Sequence, residues 1–190
     1  MPSTKPIRIV GAGSVSRAEF DRDTARITVA TTQPGVIGRA ALAVRASLTP
    51  ADVSDGPRRA LAADRLAALA ARTVGCGVLI AVGADVATAG AAPAGGWRIR
   101  ISDGSTQPAA TRIGSGGLAT VRSAEAGAAW RSVTVAAKSC RLAMAAATAA
   151  ASRGQDALEW IASLGFAARL VGSEGDVEFA GAWPRQMAAA

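Results

Sequence analysis

The residue types that could do chemistry are few, and one is missing altogether. The 190-residue chain has no His, and it lacks Tyr and Asn as well. That excludes a Ser-His-Asp or Cys-His centre, a His-ligated zinc and a His general base. Acid–base work then falls to carboxylates. Asp85 stands just past the apolar run Val78–Val82, in the stretch Gly83-Ala84-Asp85. Ligands gather at the carboxyl ends of buried strands, so a functional carboxylate is one reading. An Asp that merely shapes the turn is the other. Asp64 sits mid-helix beside Arg65, where an ion pair or a solvent-facing carboxylate is the plain alternative to a site residue.

Two glycine-bearing stretches could cradle a phosphate. Gly11-Ala12-Gly13-Ser14-Val15-Ser16 follows a short strand, as a dinucleotide-binding loop does. Its third glycine is replaced by Ser16 and no convincing crossover helix follows, so a turn is the better reading. Gly114-Ser115-Gly116-Gly117 could present backbone amides to an anion, but no Lys-Ser or Lys-Thr follows it. A flexible loop is the simpler reading. Cys76 and Cys140 belong to no Cys-x-x-Cys pair. They read as two small, buried thiols in a reducing compartment.

The elements that must position these residues follow from periodicity. Residues 7–10 and 25–31 are β-branched runs that read as strands. Residues 36–47 favour a helix, and 49–57 form a loop. Arg58 to Thr73 is the first clear helix, with Ala62, Leu66, Leu69 and Thr73 on one stripe and Arg58, Arg65 and Arg72 on another. Val78–Val82 is a continuous apolar strand, covered on both faces. Trp97–Ile101 alternates apolar residues with Arg and reads as half-buried. Strands follow near 118–121 and 131–136. Ser139 caps an Ala-rich helix to about Ser152. A helix over 155–164 puts Trp160, Ile161 and Leu164 on its apolar face, and strands near 168–171 and 177–180 close the chain. With no repeat and no linker, residues 1–190 read as a single domain of class α+β, in which Ala-rich helices pack on a mixed sheet.

Lys plus Arg is 21 and Asp plus Glu is 14, a net charge of +7. Lys5 and Lys138 are the only lysines, and the arginines are scattered singly. No basic run is interleaved with aromatics, which argues against nucleic acid as a partner. No apolar run is long enough to span a bilayer, so no membrane association is expected and the chain reads as cytoplasmic. The wealth of Ala, Arg and Gly fits a high-GC bacterial genome.

An ordered set of segments carries a resemblance. Ala60-Leu-Ala-Ala-Asp-Arg-Leu-Ala-Ala-Leu-Ala-Ala71 is followed by Gly77-Val-Leu-Ile-Ala-Val-Gly-Ala-Asp85 and Gly90, and then by Trp97-Arg-Ile-Arg-Ile101. Gly116-Gly-Leu-Ala-Thr120, Trp130-Arg-Ser-Val-Thr-Val-Ala136, and Trp160 through Leu170 to Trp183-Pro184 complete the set. Their order and spacing resemble the FAD:protein FMN transferase family, also called the ApbE or thiamine-biosynthesis lipoprotein family. The likeness covers about residues 55–185, while the first 50 residues look rewritten.

The resemblance implies a cleft that in relatives holds FAD and magnesium and moves FMN onto a Thr or Ser of a target protein. Arg59 stands where the family has a Lys. Asp64 and Thr148 are kept, and Gly83-Ala84-Asp85 replaces Gly-Gly-Asp. The magnesium-binding Asp before Thr148 is absent, because that turn reads Leu142-Ala143-Met144-Ala145. Between Thr120 and Trp130 the loop with His and Asp-Pro-x-Thr-Gly is absent too. A hard divalent cation needs oxygen ligands, and charge neutralisation by metal carries much of phosphoryl-transfer catalysis. FMN transfer is therefore not expected, and neither a metal nor a cofactor is.

What the resemblance leaves is a repurposed pocket for a small-molecule ligand, walled by Asp85, Arg59, Asp64, Thr120, Met144 and Thr148. Arg59 would anchor an anionic or carbonyl group with its fork of donors; otherwise it pairs at the surface with Asp64 or Asp55. Asp85 would be the acid or base, its pKa raised by burial. A cofactor-independent cyclisation or isomerisation in specialised metabolism is the first expectation. A non-catalytic binding or partner subunit and residual FMN transfer are the others. A homodimer is expected to cover sheet left bare by the shortened chain.

Overall fold

The computed structural model describes residues 8–9, 15–23, 25–101, 109–125 and 127–183. Ile7, Val10, the loop 11–14 and Pro184, all invoked above, lie outside the described residues. Eleven strands are described: β1 (Arg8–Ile9), β2 (Ser16–Arg22), β3 (Ala25–Thr31), β4 (Val78–Val82), β5 (Asp85–Ala89), β6 (Trp97–Ile101), β7 (Ala109–Ile113), β8 (Gly117–Arg122), β9 (Trp130–Ala137), β10 (Ala167–Gly172) and β11 (Val177–Ala180). The α-helices among the described residues are α1 (Ile37–Ser47), α2 (Gly56–Val74), α3 (Cys140–Ala151) and α4 (Ala157–Ser163).

Eight strands form one sheet in the order β11-β10-β9-β8-β5-β4-β3-β2, and β1-β6-β7 form a smaller one. The α+β class is as expected. Where a mixed sheet was anticipated, every described strand pair is antiparallel. The reason is the connection between β3 and β4. The chain leaves β3, forms α1 and α2, and returns beside β3 in the opposite sense, with Ile27 facing Val82 and Thr31 facing Val78. No parallel crossover is then required.

The β4 strand shows why its sequence is apolar throughout. Val78, Ile80 and Val82 enter a core under the helices, whereas Leu79 and Ala81 enter a second core beneath the small sheet. Successive side chains point to opposite faces, and here both faces are dry. Trp97, Ile99 and Ile101 of β6 supply the small sheet's share, and Arg98 and Arg100 between them are exposed.

Small residues let the helices lie close. Ala60, Ala63, Ala67 and Ala70 of α2 and Ala143, Ala147 and Ala150 of α3 are all buried. The start of α3 presses on β8 at Gly117, where a Cβ would overlap the backbone of Cys140. In the stretch Gly114–Gly117, read as a flexible loop or a phosphate cradle, Gly116 and Gly117 thus serve packing, with Gly117 inside β8. Strands β2, β5 and β7 were not anticipated from sequence. In α4, Ile161 is buried as expected, but Leu164 lies just past a seven-residue helix and is exposed.

Ile80 is fully buried in β4. Ile80→Ala should cost about 2–5 kcal/mol of unfolding free energy in urea titrations. Leu61→Ala on the outer face of α2, where Leu61 is 52% exposed, should stay within about 0.5 kcal/mol.

Candidate functional site

The site begins with how α2 starts. Asp55 caps the helix, its carboxylate accepting from the backbone N–H of Arg58 at 2.9 Å, and Pro57 sits in the first turn. This fixes the direction in which Arg59 leaves the helix. Across from it, β4 and β5 form a hairpin in which Val82 faces Asp85 and Gly83-Ala84 make the turn. Gly83 takes φ +65°, a left-handed conformation that favours glycine.

Asp85 is the first residue of β5, fully buried, and does not serve as a surface turn former. Its Oδ2 accepts from Arg59 Nε at 3.0 Å. Its Oδ1 is buried and has no hydrogen-bond partner. Burial raises the Asp85 pKa to about 6, and the neighbouring Arg59 opposes that rise. The surface pairings considered for Arg59 do not form. Asp55 pairs with Arg58, and Asp64 is engaged elsewhere.

Asp64 reaches from α2 to the start of α3. Its two oxygens accept from the backbone N–H groups of Cys140 at 2.9 Å and Arg141 at 3.0 Å. Ser139 Oγ accepts from Leu142 N at 3.2 Å. The orphan amides of α3 are therefore occupied from within the protein. Asp64 is a helix cap supplied by a different helix, which no local pattern announces. Cys140 lies in the field of both carboxylates. Burial, then Asp85 and Asp64, push its thiol far up, so it stays protonated and unreactive. Its Sγ donates to Leu118 O at 3.5 Å, and both cysteines are free thiols.

Met144 and Thr148 continue the site along α3. Thr148 Oγ1 donates to Met144 Sδ at 3.8 Å. Met144 is buried, and its sulfur and terminal methyl crowd Gly56 at the start of α2. A Cβ on Gly56 would come within 3.2 Å of both and within 3.7 Å of an Arg59 terminal nitrogen. Gly56 thus joins Arg59 to Met144, a contact that sequence reasoning missed because nothing in a lone Pro-preceding glycine signals it.

Thr120 stands apart. In β8, Ala119 enters the helix-side core, so Thr120 points to the other face of the sheet. There its hydroxyl lies 3.0 Å from that of Thr134, and Thr134 faces Arg169 in register. The structure brings together Arg59, Asp85, Met144 and Thr148, holds Asp64 one helix cap away, and sends Thr120 to the opposite face.

This donor set does not fit magnesium, which demands near-octahedral oxygen ligands. Around the pair stand a guanidinium, a thioether and one hydroxyl. The single carboxylate gives one oxygen to Arg59 and buries the other. Among the described residues, no three His, Cys, Asp or Glu side chains cluster as a metal site would require.

No protein-family model matches the chain, and no curated protein is similar to it in sequence. Solved structures do match. The ApbE protein from Thermotoga maritima is 19% identical over 66% of this chain and 50% of its own, with a TM-score of 0.55. The flavin transferase ApbE from Vibrio cholerae is 17% identical over 66% and 48%, with a TM-score of 0.54. The apo flavinyl transferase ApbE from Pseudomonas stutzeri is 20% identical over 68% and 46%, with a TM-score of 0.50. The chain spans about half the length of these structures. The likeness establishes an ApbE-like fold for the matched part.

Two outcomes follow from this geometry. Asp64→Ala should cost about 1–2 kcal/mol by uncapping α3, and hydrogen exchange should accelerate at the Cys140 and Arg141 amides. Asp85, with a folded pKa near 6, binds its proton more tightly folded than unfolded. Its contribution to stability is therefore fully present below the unfolded value of 3.8 and is lost as pH rises to about 6. Urea titrations of wild type and Asp85→Asn across that window should show the wild type losing stability relative to the variant.

Proposed function

We propose that this chain uses its ApbE-like fold as a metal-free binding site for a small molecule bearing an anionic or carbonyl group, anchored by Arg59. One observation carries the reading. Arg59 commits only its Nε to Asp85, and its side chain is 30% exposed. Its terminal nitrogens make no hydrogen bond to any described residue, so they face outward as a planar fork suited to a carboxylate, phosphate or carbonyl. The thioether of Met144 lies beside Gly56 and Arg59, and the hydroxyl of Thr148 bonds to it. Fold alone does not decide between transfer chemistry and binding. The side chains at the site favour binding.

A second reading starts from the full burial of Asp85 with its Oδ1 unpartnered, which raises its pKa to about 6. A carboxyl that exchanges its proton near neutrality suits general acid–base catalysis. The reaction would be a cofactor-independent cyclisation or isomerisation of the anchored molecule, in bacterial specialised metabolism. Arg59 would have to swing aside for Asp85 to reach it, since the carboxyl is fully buried behind the guanidinium. We place the protein in the cytoplasm. No described helix is long and apolar enough to cross a membrane. We also propose a homodimer, supported by exposed Leu42 on α1 and Leu142 on α3.

The discriminating experiment is a titration of the purified protein with FAD in the presence and absence of magnesium, beside native mass spectrometry of what co-purifies. Metal-free binding predicts a colourless protein, no saturable FAD isotherm at micromolar concentrations (on the order of 10 μM) with or without magnesium, and a co-purified small molecule that Arg59→Met loses. A yellow protein, or an FAD isotherm that needs magnesium, would return the chain to flavin transfer. A wild-type protein that carries no small molecule would favour a partner subunit.

A further inference from the structure

Asp85 is an uncommon carboxylate because so little attends to its charge. The elements packed on it are β4, β8, α2 and α3. From α2 come Arg59, which donates one hydrogen bond, and Asp64, whose oxygens are held by the α3 amides. From α3 comes Cys140, a neutral thiol held protonated by burial and by the two carboxylates. The β4 strand carries no ionisable residue, and Arg122, the one on β8, lies at the far end of that strand from Leu118, which pairs with Val86. Among the described residues Arg59 is therefore the only countercharge at hand, attached through one nitrogen to one oxygen.

That single link makes Arg59 a shared resource. With Asp85 ionised, the guanidinium is already neutralised, and a second anion approaching its terminal nitrogens also meets the negative carboxylate behind. With Asp85 protonated, the whole charge of Arg59 faces outward. The two anions compete for one cation in a setting of low dielectric, where such coupling is strong.

We propose that Arg59 is divided between two anions, Asp85 inside and the ligand outside, so that an oxoanion binds together with one proton taken up at Asp85. This rests on the reading of Arg59 as the ligand's anchor and adds a chemical class to it: the ligand presents a compact oxoanion, a carboxylate, sulfate or phosphate group, and its affinity grows as the solution becomes more acidic. The site then behaves as a proton-coupled anion site. Linkage is reciprocal, so the bound oxoanion raises the Asp85 midpoint by the same free energy that the proton adds to anion binding. The buried Oδ1 that lacks a partner is the acceptor atom left to take the proton, and the starting midpoint of about 6 places the change in an accessible range.

Sulfate is the probe, because its own charge is constant through the range of interest. Isothermal titration at fixed ionic strength from about pH 8 down to about pH 5 should show the sulfate affinity rising about tenfold, the counterpart of a one-unit rise in the Asp85 midpoint. A 13C titration of the Asp85 carboxyl with and without saturating sulfate should show that rise directly. In Asp85→Asn the affinity should be flat with pH and equal to the wild-type value at the acidic end. Arg59→Met should lose binding throughout. Sulfate binding that needs Arg59 but does not change with pH, or an Asp85 midpoint that sulfate does not move, would overturn the proton coupling while leaving the anchor in place. Absence of sulfate binding at every pH, or binding untouched by Arg59→Met, would overturn the anchor itself and the coupling with it.

Discussion

A buried carboxylate with a single cation beside it organises this protein. Taking a charge out of water is costly unless it is paired and hydrogen-bonded. Asp85 meets that demand only in part, with one bond from Arg59 to Oδ2 while Oδ1 has no partner. The requirement reaches well beyond the pair. Arg59 must leave α2 at its first turn, so the Asp55 cap and Pro57 have to start the helix there. Asp85 must enter β5 directly after a two-residue turn, so Gly83 has to adopt positive φ. The sheet and the helical layer are thereby pinned at one corner. Without Arg59, Asp85 could remain buried only by taking up a proton.

A second carboxylate does the same for the other helix. Asp64 sits one turn further along α2 and holds the first amides of α3. An acidic group at a helix N-terminus is favourable in itself. Here it also joins two helices whose buried faces are rich in alanines, which contribute little packing area. Buried Asp85, buried Cys140 and half-buried Asp64 all lie where α2, α3, β5 and β8 meet. Burial, and then the two carboxylates, keep the thiol neutral, while burial lifts Asp85 to about 6. The mechanical junction of the fold and the proposed binding site therefore share a residue, so the proposed ligand at Arg59 would bind where a structural contact is made.

Much of this architecture was legible because periodicity reports burial. The unbroken apolar run of β4 has one sensible reading and formed as read. Of the stripe read on α2, only Ala62 and Leu66 are buried, with Leu69 half-buried and Thr73 exposed, because the buried face runs through Ala60, Ala63, Ala67, Ala70 and Val74. The ordered segments that suggested a flavin-transferase fold reflect the same elements, and solved ApbE structures share their arrangement. What escaped detection was decided by distant partners. Asp85 could be read as a turn former or as a functional carboxylate, and sequence could not choose between them because its burial depends on an arginine 26 residues away. Asp64 looked solvent-facing because the helix that it caps begins 76 residues later. Thr120 was placed with the site by chain order, yet a strand's alternation turned it to the opposite face. Sequence alone gives no parity for such a residue until its neighbours are fixed.

The central claim is that the resident cation of this site is Arg59 and that no divalent metal takes its place beside Asp85. Anomalous diffraction from crystals soaked in manganese, which stands in for magnesium and scatters strongly, reads this directly. With Arg59 as the cation, the maps should show its Nε on the Asp85 carboxyl and no anomalous peak within coordination distance of Asp85, Met144 or Thr148. An anomalous peak bound by Asp85 with Arg59 displaced would contradict it.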